Sequence, residues 1–251
     1  IFSDIIKVIF RVANRYERMY KMAISVGFYK YVSKWVTDEQ TEKVMYRPFE
    51  ADENPYKASV FIVGSHPTPL LELPDECTQT YASALVNREE FNRLFPDYLM
   101  STSRDVKGAI RFSNALKQRG IVSTISYVNA LTAMNLTQLK KQKKENAEQF
   151  KRGVEIFKEV VEEFKPPVIL LHGNYALEQF RQNFEGYFIE FGHSLRSVSE
   201  LSEAGVFGKI IHDDGKETLL FACKSLAYFK ENDESFLQLI DQLINEKSKR
   251  F

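Results

Sequence analysis

Residues 168–171 read Val-Ile-Leu-Leu, with Pro166-Pro167 before them and Gly173-Asn174 shortly after. A run this apolar and this short, fenced by residues that break helices, has one stable use: a strand buried on both faces of a sheet. Three further stretches share the pattern: Ser59–Val63, the β-branched and aromatic IVSTISYV of Ile121–Val128, and LLFA of Leu219–Ala222. Helical periodicity fills the gaps. A helix over Asp105–Gln118 is closed by Arg119-Gly120, and in Glu145–Phe164 the residues Phe150, Val154, Phe157, Val161 and Phe164 fall on one face. The helix YALEQFRQNF opens at Gly173-Asn174, and an amphipathic helix over Phe236–Ile244 follows the last strand. Four buried strands alternating with helices predict an α/β fold, a three-layer α/β/α sandwich around a mainly parallel, four-stranded central sheet. Around this frame the sequence predicts a weaker helix near Arg88–Leu94 and an extended lead-in, RPFEADENPYK, before the first strand. FIEF and GKII read as short strands, with a hairpin at Asp214-Gly215.

At 251 residues the chain can bury one large core, so a single α/β domain over residues 1–251 is expected, with a helical segment at 1–45 packed on a core at 46–251. In that segment Ile5, Ile9, Val12, Tyr16 and Met19 recur at helical spacing, while Asp4, Lys7, Arg11 and Arg15 interrupt the apolar run, which excludes a transmembrane helix there. Lys plus Arg and Asp plus Glu stand at 34 each, so no global positive field advertises nucleic acid, although a local basic groove is invisible in that sum. Cys77 and Cys223 are the only cysteines, and no signal-peptide pattern opens the chain. Both are expected as free thiols in a reducing cytoplasm. No His or Cys spacing makes a zinc or iron–sulfur site, and no cofactor, membrane contact or oligomer is expected.

In an open parallel sheet, ligands bind beyond the carboxyl ends of the strands. Every predicted strand end here is polar: Gly64, Ser65 and His66 after the first, Asn129 after the second, His172, Gly173 and Asn174 after the third, Cys223, Lys224 and Ser225 after the fourth. The first end is also stiff. In VFIVGSHPTPL neither proline can continue a helix or donate to a sheet ladder, so the backbone after Gly64 is held in an extended turn with His66 at its start.

These strand ends resemble a known family. GSHP, a hydrophobic strand ending in Gly, one residue, a polar residue and Pro, resembles the first motif of the uracil-DNA glycosylase superfamily, in which the polar residue is Asp or Asn. His66 stands at that position. SYVNALT is similar to the family's strand whose terminal Asn reads the Watson–Crick edge of uracil, and Asn129 matches it. VILLHGNYALEQF looks like the family's strand, Gly, small residue and Ala at a helix start, and the ordered set spans about Arg47 to Lys230. The resemblance implies excision or recognition of a flipped uracil or damaged base in DNA, by hydrolysis of the N-glycosidic bond and without a cofactor. It implies a base pocket of Gly64, Ser65 and Asn129, with Tyr81 against the base and Lys140, Lys141 and Lys143 on flanking phosphates. The family's second motif begins with His, which donates to the uracil oxygen; here the chain reads CKS, so Lys224 or a backbone amide has to replace that donor and only Ser225 keeps its type. A neutral His66, with an unperturbed pKa of about 6.5, can take a proton from water but brings no negative charge to a sugar with oxocarbenium character, so catalysis is expected to be slow, altered or absent.

Each residue also has a plainer use. His66 serves equally as a turn histidine, Asn129 as an Asx-turn residue, His172 as a satisfied core histidine, Cys223 as an inert buried thiol, and the lysine run as a solvated helix entry. Two alternatives therefore stand beside a DNA glycosylase: a catalytically degenerate module of the same fold that binds nucleic acid, a nucleobase or a protein, and a hydrolase or transferase acting on free nucleosides.

Overall fold

The apolar stretches become neighbouring strands in a computed structural model of the chain, which describes residues 28, 30–37, 44–73, 78–192 and 197–250. Seven strands, β1 (Phe49–Ala51), β2 (Val60–Gly64), β3 (Ser123–Tyr127), β4 (Val168–His172), β5 (Ile189–Glu190), β6 (Val206–Ile211) and β7 (Glu217–Cys223), form one sheet of order β1-β3-β2-β4-β7-β6-β5. Among the described residues nine further α-helices follow α1 (residues 30–36) in chain order: α2 (Thr78–Ala84), α3 (Arg88–Leu94), α4 (Tyr98–Ser101), α5 (Arg104–Lys117), α6 (Leu136–Glu145), α7 (Ala147–Phe164), α8 (Asn174–Asn183), α9 (Val198–Ala204) and α10 (Glu234–Arg250).

The α/β class is the one the sequence pattern predicts, but the sheet is mixed and, among the described residues, has seven strands where a four-stranded central sheet was expected. β2 pairs in parallel with β3 and β4, and β4 with β7. Three antiparallel strands extend this group: β1 on β3, β6 on β7 and β5 on β6. β1 lies near the start of the expected lead-in segment, and three residues after Pro48 are too few to carry an alternating pattern. β6 and β7 meet through the turn at Asp214-Gly215, with Gly215 in the left-handed region at φ 78°. Every residue of β2, β3 and β4 is buried, which is why these strands read as continuous rather than alternating runs.

Helix α7 buries the predicted face of Phe150, Val154, Phe157, Val161 and Phe164, and ends at Lys165 in the left-handed conformation ahead of Pro166-Pro167. Phe164 stacks edge-on against Phe49 of β1 at 5.4 Å and Trp35 of α1 at 6.0 Å, so α1 and the sheet edge share one aromatic joint. Trp35 Nε1 donates to Glu159 at 2.9 Å, which satisfies the indole within that joint. Helix α6 carries LTQLKKQKKE with only Leu139 buried, and lacks the apolar stripe that would have marked it in the sequence. The helical segment expected at 1–45 lies outside the described residues except for residues 28, 30–37, 44 and 45, and Cys77 lies outside them too. Cys223 is a free, buried thiol. Among the described residues no helix is long and apolar enough to cross a membrane.

Candidate functional site

The chain leaving β2 goes to β3 on one side, and the chain leaving β4 goes to β5, β6 and β7, all on the other. The winding reverses between β2 and β4, and in an open sheet the crevice at that reversal, beyond the carboxyl ends, is where ligands sit. Gly64, Ser65 and His66 leave β2 at this point, and His172 and Gly173 leave β4.

The stiff turn after β2 is anchored carbonyl by carbonyl. Pro67 O accepts from Ala133 N at 3.2 Å, Thr68 O accepts from Arg47 NH1 at 3.0 Å and Thr102 Oγ1 at 2.7 Å, and Pro69 O accepts from Arg47 NH2 at 2.8 Å. The peptide Thr68-Pro69 is cis. Arg47 is fully buried and is held in turn by Glu50 at 3.2 Å, whose carboxylate also accepts from Tyr98 OH at 2.7 Å and Tyr127 OH at 2.8 Å. A loop of prolines offers acceptors and few donors, and a buried guanidinium with its fork of donors is the complementary anchor.

Four side chains gather at the switch point. His66 is 9% exposed and His172 5%. Ser65 Oγ lies 2.8 Å from His66 Nδ1, and whichever atom donates, His66 Nε2 is buried with no partner; His172 Nδ1 is buried with none either. Burial is the largest effect on both imidazoles and lowers each pKa to about 4, against an opposing pull from the Asp105 carboxylate. Both rings are therefore neutral at pH 7. Gly64, two residues before His66, lets the His172 ring lie against the end of β2: a Cβ there would stand 3.0 Å from His172 Nε2. Asp105 lies in the first turn of α5, behind the N-cap Ser103, and accepts from Ser225 Oγ at 2.5 Å. Gly108, one turn further along α5, permits this contact, since a Cβ there would fall 1.8 Å from Leu226 O and push α5 off the segment that carries Ser225.

The arrangement combines an exposed carboxylate, a hydroxyl, and two neutral imidazoles that each keep one ring nitrogen unused. Buried polar atoms are generally paired, so these two ring nitrogens at one switch point are spare hydrogen-bonding capacity. Among the described residues no group of three or more His, Cys, Asp or Glu side chains is placed to hold a metal ion.

Other residues singled out in the sequence sit elsewhere. Asn129 Nδ2 donates to Phe150 O at 3.0 Å and its Oδ1 accepts from Leu131 N at 2.9 Å, so the carboxamide is spent on an Asx turn and on α7 rather than turned toward a ligand. Tyr81, expected against a base, is a core residue packed on Phe91 and Phe95 beside Arg47. Lys224 faces away from the crevice, with its ammonium 3.1 Å from Asp233 and 4.7 Å from the Phe236 ring, which removes it as an oxyanion donor. Lys140, Lys141 and Lys143 are exposed along α6, and Lys140 reaches over the Tyr175 ring at the head of α8. Lys141 pairs with Glu145 at 3.7 Å, and Lys143 covers the Phe150 ring at 5.4 Å.

Asp105 is the residue that sequence reading missed. It lies in no strand-end motif and joins the crevice only through the packing of α5; the one local signal was an acidic residue two positions after a helix cap. His172 was visible but looks like a core residue in the sequence. A cavity of about 950 Å³ lies at the opposite, amino end of the parallel strands, between Asp52–Lys57, Asn87, Arg88 and Lys117. Two of its cations are already paired within it, Arg88 to Asp52 at 3.1 Å and Lys117 to Asp52 at 3.8 Å. No family model matches the chain, and no curated protein matches it.

Proposed function

We propose that the crevice between β2 and β4 binds a nucleobase attached to its sugar and hydrolyses the N-glycosidic bond, as a divergent relative of the uracil-DNA glycosylases. The observation that carries this reading is the Asp105 carboxylate beside two buried, neutral imidazoles with unused ring nitrogens. The parallel run β3-β2-β4-β7 supports it, because the carboxyl ends of β2, β3 and β4, where the three matching motifs fall, lie at one end of the sheet.

Cleavage of such a bond leaves positive charge on the sugar and negative charge on the departing base, and the site has to steady both. His66 at the first-motif position brings no anion, but Asp105 does. A water oxygen joins the anomeric carbon as the carbon–nitrogen bond breaks, the base departs with the bonding electrons, and the water's proton passes to Asp105 or His66. A neutral imidazole N–H donates to the base oxygen as charge grows there, and burial keeps that imidazole neutral at pH 7.

The test is release of free base from a uracil-containing oligonucleotide and from deoxyuridine at pH 7. Base release by the wild-type chain that falls at least ~100-fold in Asp105→Asn is expected, in line with removal of a transition-state charge partner. Absence of release from both substrates, with no binding of either, overturns the reading. A second reading, recognition without cleavage, draws on the commitment of Asn129 to backbone groups, which leaves the base without the carboxamide reader that the resemblance implies. Binding of the oligonucleotide with no release selects it.

A further inference from the structure

The cavity of about 950 Å³ at the amino end of the parallel strands lies across the sheet from the crevice and has a lining of its own kind. Three asparagines reach it from three separate segments: Asn54 from the lead-in to β2, Asn87 from the N-cap of α3, and Asn114 from α5. Each has spent its carboxamide oxygen inside the fold. Asn54 Oδ1 accepts from Tyr56 N at 3.0 Å, Asn87 Oδ1 from Glu89 N at 3.1 Å and Glu90 N at 3.2 Å, and Asn114 Oδ1 from Arg88 NH1 at 3.1 Å. These bonds orient the side chains and leave each NH2 group, a double donor, without a partner among the described residues. Acceptors stand among the donors, since the carboxylates of Glu53 and Glu89 line the same concavity. Tyr56 adds an aromatic ring that is 43% exposed, although its hydroxyl is tied to Glu163 at 2.5 Å and the ring is packed edge-on against Phe164 at 4.8 Å.

We propose that this cavity is a second binding site, for a neutral polyhydroxylated ligand: a sugar of one or two rings, held by the three asparagine NH2 groups and the neighbouring carboxylates, with its C–H face on Tyr56. A sugar hydroxyl accepts and donates at once, so an oriented amide N–H and a carboxylate oxygen satisfy it together, and an exposed aromatic ring covers the apolar side of the sugar. Charge does not select the occupant. Four carboxylates, Asp52, Glu53, Glu89 and Glu90, face three cations, and Asp52 already holds two of these, Arg88 and Lys117. An anion therefore meets an excess of carboxylate, and a cation meets ammonium and guanidinium groups. An apolar ligand buries the amide donors without giving them acceptors. The volume suits a ligand of this size, since small-molecule sites run to about 300–1,000 Å³. The site stands apart from the crevice, and its failure leaves the hydrolytic reading untouched.

Proton–nitrogen correlation spectra that resolve the asparagine side-chain NH2 groups, recorded during titration with glucose, galactose, mannose and cellobiose, test this. The expected result is a saturable shift of the Asn54, Asn87 and Asn114 NH2 signals with at least one of these sugars at millimolar concentration. Asn87→Asp keeps the oxygen that caps α3, and Asn114→Asp keeps the oxygen that holds Arg88, so each variant retains the fold and loses only the donors. Each is expected to weaken the sugar by about 3- to 10-fold, the worth of one hydrogen bond. No saturable shift with any of the four sugars at ~100 mM overturns the proposal, and so does unchanged affinity in both variants. Spermidine or inorganic phosphate moving the same signals at a lower concentration than the sugars also overturns it, because the cavity then belongs to a charged ligand.

Discussion

Two buried polar clusters meet at the turn after β2, and they are built on opposite rules. Around Arg47 the groups are matched to one another: Glu50, Tyr98, Tyr127 and two loop carbonyls take up the guanidinium and the carboxylate, and Arg47 Nε alone of these atoms is without a partner. Around His66 and His172 the burial is nearly as deep, yet each ring keeps a nitrogen that nothing in the fold uses. The first cluster is a joint that fixes a proline loop. The second retains hydrogen-bonding capacity at the point where the winding of the sheet reverses. Depth of burial therefore does not distinguish the two clusters; satisfaction of their polar groups does.

The sharpest way to break this contrast is to remove the Arg47 charge. Arg47→Met leaves the Glu50 carboxylate buried beside two tyrosines without its cation, and a loss of ~3–5 kcal/mol in urea unfolding is expected, partly recovered when Glu50→Gln is added. A loss below ~1 kcal/mol means that the joint is not structural and erases the distinction.

Acid acts on the other cluster. The two imidazoles have folded-state pKa values of about 4, below the unperturbed value of about 6.5, so between these pH values the unfolded chain binds protons that the folded chain refuses. Stability is expected to be fully present above pH ~6.5 and to fall as pH drops toward 4, by at most ~3 kcal/mol for each ring. Urea midpoints at pH 7 and pH 4.5 measure this, and His172→Asn is expected to flatten the slope. An unchanged slope in that variant assigns the acid sensitivity to other groups.

A smaller effect is expected from Gly64→Ala. The new Cβ meets the His172 ring at 3.0 Å, the ring has to yield, and a cost of ~1–2 kcal/mol follows together with a displaced His172 imidazole resonance and an unmoved His212. Smallest of all is Lys224→Ala. Its partner Asp233 lies on the surface, so stability is expected to stay within measurement error and base release to be unaffected. A marked loss of base release in that variant returns Lys224 to the crevice.

The parallel strands were legible because each is buried on both faces and fenced by Pro or Gly, as in PPVILLHG. Helix α7 was legible for the same kind of reason, a long apolar face with a left-handed stop. The edge strands were harder to read. β1 and β5 have three and two residues, and their pairing is decided by neighbours far away in sequence. Within the site, His66 and Ser225 follow directly from strand-end position. Asn129 shares that position, but a carboxamide at a strand end can satisfy the backbone or face a ligand, and the approach of α7 decides which. Asp105 was illegible because it reaches the crevice through helix packing at Gly108, a tertiary contact with no local pattern.

Histidine-resolved NMR during titration with deoxyuridine addresses the crevice most directly. If the spare nitrogens of His66 and His172 belong to a ligand site, the imidazole signals of both are expected to shift together and saturably, while His212, engaged by Thr218 at 2.8 Å, stays in place. Signals of all three that remain unmoved at millimolar nucleoside, or that drift together without saturation, contradict it.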